Sequence, residues 1–122
     1  MTSNIEEFEH NDGVWKVNWQ TPKGCRIKVF VIGDSDLMGS QATRIQLQRL
    51  KMSIDEFIEK ASHFASNSQY RDDISLEDGL VANSVVVDTW DDVKIWFALG
   101  VSERMIGVRM HEDKPVDVFC DH

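Results

Sequence analysis

Apolar and polar residues alternate in step along four segments near the C-terminus, 84–89, 93–99, 104–110 and 116–120. A period of two marks a strand with one buried face. Laid side by side as a meander, the four segments share a single register. A loop at 90–92 pairs Thr89 with Val93, Val87 with Ile95 and Val85 with Phe97. A loop at 100–103 pairs Phe97 with Ile106, Ile95 with Val108 and Val93 with Met110. A loop at 112–114 pairs Met110 with Val116, Val108 with Val118 and Ile106 with Cys120. Every inward row is then apolar except at Thr89. Sliding any strand by one residue would turn its apolar set outward.

The same register composes the opposite face. Val86, Trp96, Gly107 and Phe119 line up across the four strands, and Asp88, Lys94, Arg109 and Asp117 form the row beside them. Two large aromatics flanking a glycine admit two readings. Either the rings shield a weak point of the sheet, or they anchor a protein interface with a charged rim. The candidate partner-binding surface is therefore Trp96, Phe119, Val86, Arg109, Lys94, Asp88 and Asp117.

The first third reads as a three-stranded meander, with segments at 5–9, 14–20 and 25–32 and turn residues Asn11-Asp12-Gly13 and Thr21-Pro22-Lys23-Gly24 between them. Matching like with like sets Trp15 opposite Phe8 and Glu7 opposite Lys16. It also sets Trp19 opposite Cys25, Val17 opposite Ile27 and Trp15 opposite Val29. Lys16 then lies beside Lys28 on the outer face. Val14, Phe30 and Ile32 extend the apolar part of that face.

The centre of the chain changes period. Ile54, Phe57, Ile58, Ala61, Phe64 and Ala65 recur at helical spacing, and Ser53-Ile54-Asp55-Glu56 has the form of a capping box, predicting a helix over 54–66. Residues 41–51 predict a shorter, separate helix, although the Ile45/Leu47 alternation also suits a strand. Residues 33–39 read as a loop and 67–79 as a polar connection, in which Ser75-Leu76-Glu77-Asp78 can cap a single turn. The expected fold class is α+β: a strongly twisted antiparallel sheet, built from an N-terminal three-stranded and a C-terminal four-stranded meander, with central helices packed on one face. How the two meanders join is not readable from the pattern.

Composition narrows the function. A chain of 122 residues with 42% hydrophobic and 28% charged residues is expected to form one globular domain spanning 1–122. Its formal net charge of −8 argues against a nucleic-acid ligand, which needs a basic stripe, and suits association with a basic protein. No segment approaches the roughly 20 apolar residues of a membrane span. The acidic start, Met1 to Glu7, lacks the basic and apolar regions of a signal peptide. Cys25 and Cys120 both fall on apolar strand faces, as expected of reduced core thiols in a cytoplasmic protein.

The usual catalytic sets are missing from the pattern. No Gly-x-Ser-x-Gly is present, and the 33–39 loop has two aspartates and no lysine, which unsuits it to phosphate. Cys120 and His122 lie near His111, but the meander register puts His111 roughly 17 Å from Cys120 at about 3.4 Å per residue. No metal or cofactor is expected. The carboxylate pairs fall in turns, where nothing buries them enough to tune a proton transfer. His63 falls at the edge of the helix's apolar stripe.

The layout is short and acidic, with two meanders round a helical centre and no catalytic set. In that it is similar to small bacterial proteins, some of which neutralise a toxin by binding it. The similarity is one of layout, so no residue role is carried over. The leading expectation is a non-catalytic protein-binding domain of immunity or inhibitor type, docking a basic partner. A second is a ligand-binding domain or small enzyme with a pocket between sheet and helices, lined by Trp15, Trp19 and His63. A third is a homodimer that buries the aromatic face symmetrically.

Overall fold

The computed structural model describes residues 8–76, 79–100 and 104–121. It forms one seven-stranded sheet whose spatial order follows the chain. The first meander is β1 (Glu9–Asn11), β2 (Val14–Gln20) and β3 (Arg26–Ile32). After a short 3-10 turn at Leu37–Gly39 come the helices α1 (Gln41–Ser66) and α2 (Arg71–Leu76). The second meander is β4 (Leu80–Thr89), β5 (Asp92–Leu99), β6 (Met105–His111) and β7 (Lys114–Asp121). The expected α+β class is the one observed. The junction between the meanders is a parallel pairing of β3 with β4, which sets Val29 beside Val85 and Val31 beside Val87. A parallel neighbour requires a crossover, and the helical segment supplies it.

One helix stands where two are expected. Gln41–Ser66 is continuous over 26 residues, roughly 39 Å at about 1.5 Å per residue. No proline or glycine interrupts it. Its start is capped by Ser40, whose Oγ accepts from the Thr43 N–H at 3.4 Å. The Ser53–Glu56 capping box therefore lies unused inside the helix. Leu47, Leu50, Ile54, Ala61 and Ala65 are buried along one stripe, against the inward side chains Val29, Val85, Ile95, Phe97, Ile106 and Val108. The Ile45/Leu47 alternation is resolved by this packing: Leu47 is buried and Ile45 is 46% exposed.

The C-terminal register is largely the expected one. Phe97 faces Ile106, Ile95 faces Val108 and Val93 faces Met110. Val108 faces Val118 and Ile106 faces Cys120. Between β6 and β7 a two-residue turn, Glu112-Asp113, replaces the three-residue loop, and a bulge takes up the extra residue. Met110 consequently faces Pro115, not Val116, and Val116 is turned out to 49% exposure.

Three other hairpins differ from expectation by a slip of two residues. His10 faces Trp15, with Asp12 (φ 51°) and Gly13 (φ 77°) making the two-residue turn. Such a mirror-image turn matches strand twist and asks for left-handed residues. Phe8 is buried against Trp19 instead, and Lys16 faces Glu9. The expected Glu7–Lys16 pair lies outside the described residues, as do residues 101–103 of the 100–103 loop and Glu77 and Asp78. In the second hairpin the turn is longer. Thr21 is buried and holds it: its N–H donates to Cys25 O at 2.7 Å and its Oγ1 accepts from Cys25 N–H at 3.1 Å. Trp19 thus faces Ile27, Val17 faces Val29 and Trp15 faces Val31. Lys16 sits beside Phe30 and not Lys28, and Cys25 is an exposed turn residue and not a core thiol.

The β4–β5 hairpin is the third. Thr89 faces Asp92 across a two-residue turn, Val87 faces Val93 and Val85 faces Ile95. Two irregularities on β4, at Asn83 and Asp88, each insert a residue. The Asp88 bulge restores the parity that the short turn would have inverted, so Val85 and Val87 still point inward. The expected pair of Val86 with Trp96 is lost: Val86 faces Lys94, and Ser84 faces Trp96.

Candidate docking surface

The joined sheet extends the outer rows beyond the second meander. One row runs Asn18, Lys28, Ser84, Trp96, Gly107, Phe119 across six strands. The next runs Glu9, Lys16, Phe30, Val86, Lys94, Arg109, Asp117 across all seven. The helix α1 and Ile74 of α2 share the core on the other face. Among the described residues, no helix covers these two rows.

Trp96 and Phe119 stand on strands separated by β6. Their ring centroids are 5.1 Å apart at 74°, an edge-to-face contact. The gap closes because Gly107 lies between them. A Cβ placed on Gly107 would come within 2.4 Å of the Phe119 ring and 2.9 Å of the Trp96 ring. Both rings are half-buried, as are Phe30 and Val86 in the neighbouring row, while Ile32 is 44% exposed. The shielding of Gly107 is thus real, and it leaves apolar ring surface toward solvent.

The charged row is paired, but not wholly as expected. Asp88 and Lys94 form an ion pair at 3.3 Å. Arg109 does not take Asp117: its Nε donates to Asp92 Oδ1 at 2.8 Å. That hydrogen bond from Arg109 holds the Asp92 carboxyl below the usual carboxylate range, against the opposing effect of partial burial. The Arg109 guanidinium is correspondingly held in its charged form. Asp117 instead accepts from the Val118 N–H at 2.9 Å and so covers a donor on the free edge of β7. Exposed pairs of this kind stabilise by about 0–1 kcal/mol each. Their effect here is to leave Asp88, Asp92 and Asp117 already engaged.

The cations at the other end of the face are different. Lys16, Arg26 and Lys28 are exposed, and none forms an ion pair among the described residues. Net charge gave no hint of this, because most of the exposed acids among the described residues lie elsewhere. Asp34, Asp36, Asp91, Glu112 and Asp113 are in turns, and Glu56 and Glu59 are on α1. Where the Asn83 bulge carries β4 away from β3, Arg26 and Lys28 line an open cleft of about 520 Å³ with Asn18, Gln20 and Asn83.

Trp15, Trp19 and His63 do not meet in one pocket. Trp15 Nε1 donates to Asp34 O at 2.8 Å, Trp19 is 4% exposed beneath Lys51 and against Phe8, and His63 is on the exposed side of α1, where Asn67 donates to its carbonyl at 2.8 Å. One recess between α1 and the sheet lies at the β4–β5 and β6–β7 turns. It holds about 410 Å³ and is bordered by Arg49, Ser53, Phe57, Trp90, Asp91 and Glu112. Among the described residues, no three His, Cys, Asp or Glu side chains converge as a metal site, and no helix is long and apolar enough to cross a membrane. Cys120 is half-buried at the β7 end, where the Arg104 Nη2 lies 3.4 Å from its sulfur.

Comparison with known proteins returns no match to a family model, to a curated protein or to a solved structure. Fold and surface chemistry therefore carry the functional reading.

Proposed function

We propose that this protein is a non-catalytic binding domain that docks another protein on the outer face of its sheet, as inhibitor and immunity proteins do. The observation that carries this reading is the apolar surface of Trp96 and Phe119, continuous with Phe30 and Val86, on a face that no described helix covers. Edge-to-face aromatics spanning β5 to β7, flanked by Lys94, Asp88, Arg109 and Asp117, have the composition of an interface with an apolar anchor and a polar border. Net charge by itself points to a basic partner. It is a property of the whole surface, however, and this face carries a different balance.

The test is recovery of a partner from the source cell with the wild-type protein and with Trp96→Ala and Phe119→Ala. Loss of the same partner in both variants, with the fold intact by circular dichroism, is the expected result. Equal recovery in all three removes the surface. Sedimentation at micromolar concentration separates this reading from self-association: a dimer that Trp96→Ala converts to monomer assigns the face to a second copy of the chain.

A further inference from the structure

We infer that the segment seated on this face is acidic and carries an apolar anchor: carboxylates on Lys28, Lys16 and Arg26, and the anchor on Trp96 and Phe119. The inference rests on the docking face proposed above and gives the chemistry of its occupant. Its ground is charge complementarity. At the aromatic end, among the described side chains, the facing acids are engaged: Asp88 by Lys94, Asp92 by Arg109 and Asp117 by the Val118 N–H. At the β2–β3 end three exposed cations stand without an ion pair among the described residues. Glu9 lies across from Lys16, so the cluster keeps a surplus of positive charge centred on Arg26 and Lys28, and such a surplus selects the opposite sign in what covers it and disfavours its own.

Geometry gives the spacing. Lys28 and Trp96 are in the same cross-sheet row, separated only by Ser84 on β4. With strands about 4.8 Å apart, the Lys28 and Trp96 backbones are roughly 10 Å apart, and Lys28 to Phe119 spans roughly 19 Å. The row is low between Lys28 and Trp96, because Ser84 is small and buried. An extended segment rising about 3.3 Å per residue covers that span in roughly six residues. A carboxylate therefore falls roughly three to six residues from the aromatic anchor. The cleft beside Arg26 and Lys28, with the amides of Asn18, Gln20 and Asn83, supplies further donors for a carboxylate at that end.

Random displayed peptides selected on the wild-type protein test this without assuming a partner. Selected peptides are resynthesised and titrated against wild type, Trp96→Ala, and the triple variant Lys16→Glu, Arg26→Glu, Lys28→Glu, whose sites are all exposed. The expected peptides carry Asp or Glu at that spacing from an aromatic residue, and bind the triple variant about tenfold or more weakly. Basic or uncharged peptides that lose binding only in Trp96→Ala overturn the inference and leave the docking face standing. Peptides indifferent to both variants, or no enrichment at all, overturn both. A single-stranded oligonucleotide that displaces the peptides and binds more tightly assigns the cations to nucleic acid, and also overturns it.

Discussion

Trp96 and Phe119 touch across an intervening strand, with ring centroids 5.1 Å apart, because the residue between them is Gly107. Neighbouring side chains on a sheet face are normally kept apart by the residue that separates them. Here its absence turns two separate aromatics into one apolar unit. The contact gives the glycine a cover and the face a centre.

That contact should be measurable as coupling. A double-mutant cycle of Trp96→Ala and Phe119→Ala is expected to give an interaction of about 0.5–1.5 kcal/mol by denaturant unfolding. Additive effects within error would mean that the rings do not meet in solution.

Gly107→Ala should push the rings apart without unfolding the sheet. The added Cβ meets ring atoms that can swing outward, not backbone. Overpacking of this kind costs about 1–3 kcal/mol, and the low end is expected here. The Trp96 indole N–H resonance should shift clearly. An unmoved indole with unchanged stability would contradict the geometry.

Trp19 poses a different question. It is 4% exposed, and its Nε1 is buried without a hydrogen-bond partner among the described residues. An unsatisfied buried donor costs about 1–3 kcal/mol. Trp19→Phe removes that cost while losing some packing, so a net change within about 1 kcal/mol is expected, against a loss of about 3–5 kcal/mol for Trp19→Ala. Equal losses for the two substitutions would show that the N–H is satisfied.

Asp92 makes stability pH-dependent in a defined direction. Its folded-state carboxyl titrates below its ordinary value of 3.8, chiefly through the Arg109 hydrogen bond. A group whose folded pKa is depressed contributes its stabilisation in full above the unfolded value and loses it as pH falls through the folded one. The gap in melting temperature between wild type and Asp92→Asn should therefore be flat above about pH 5 and close below about pH 4. A gap that persists unchanged into stronger acid would exclude this role.

Asp117 should act as an edge guard. It occupies the Val118 N–H, and Pro115 has no N–H to offer on the same strand. Asp117→Ala frees a donor on β7 and should raise strand-to-strand association, read as a concentration-dependent increase in sedimentation coefficient. A variant as monomeric as wild type would show that the edge is protected by other means.

The errors in register share one form. Three hairpins slip by two residues relative to expectation over their inward pairs, at β1–β2, β2–β3 and β4–β5, and a shift of one is confined to the turn side of a bulge, at Thr89 and Met110. Burying one face penalises every odd slip severely, while an even slip keeps the same side chains inward. Alternation therefore specifies register only to within two. The turn decides the rest, through the left-handed Asp12-Gly13 pair, the buried Thr21 and the two bulges of β4. In the β6–β7 hairpin a two-residue turn plus one bulge consumes as many residues as the expected loop, so Val108 and Val118 still meet and only Val116 escapes.

The site was legible to the same degree. Trp96, Gly107 and Phe119 share a row as alternation required, because two correctly matched strand pairs connect them. Val86 left that row when β4 slipped, and Asp117 left its partner because Asp92 offered Arg109 a closer carboxylate.

Short-range chemistry determined the strands, the apolar face, the helical centre and the aromatic row, since periodicity is written residue by residue along the chain. Tertiary structure alone decided that β3 and β4 run parallel side by side, that one unbroken helix spans the crossover, and that Lys16, Arg26 and Lys28 share a face with Trp96. Those facts depend on contacts between segments distant in sequence. Periodicity within a segment holds no information about which neighbour it will meet.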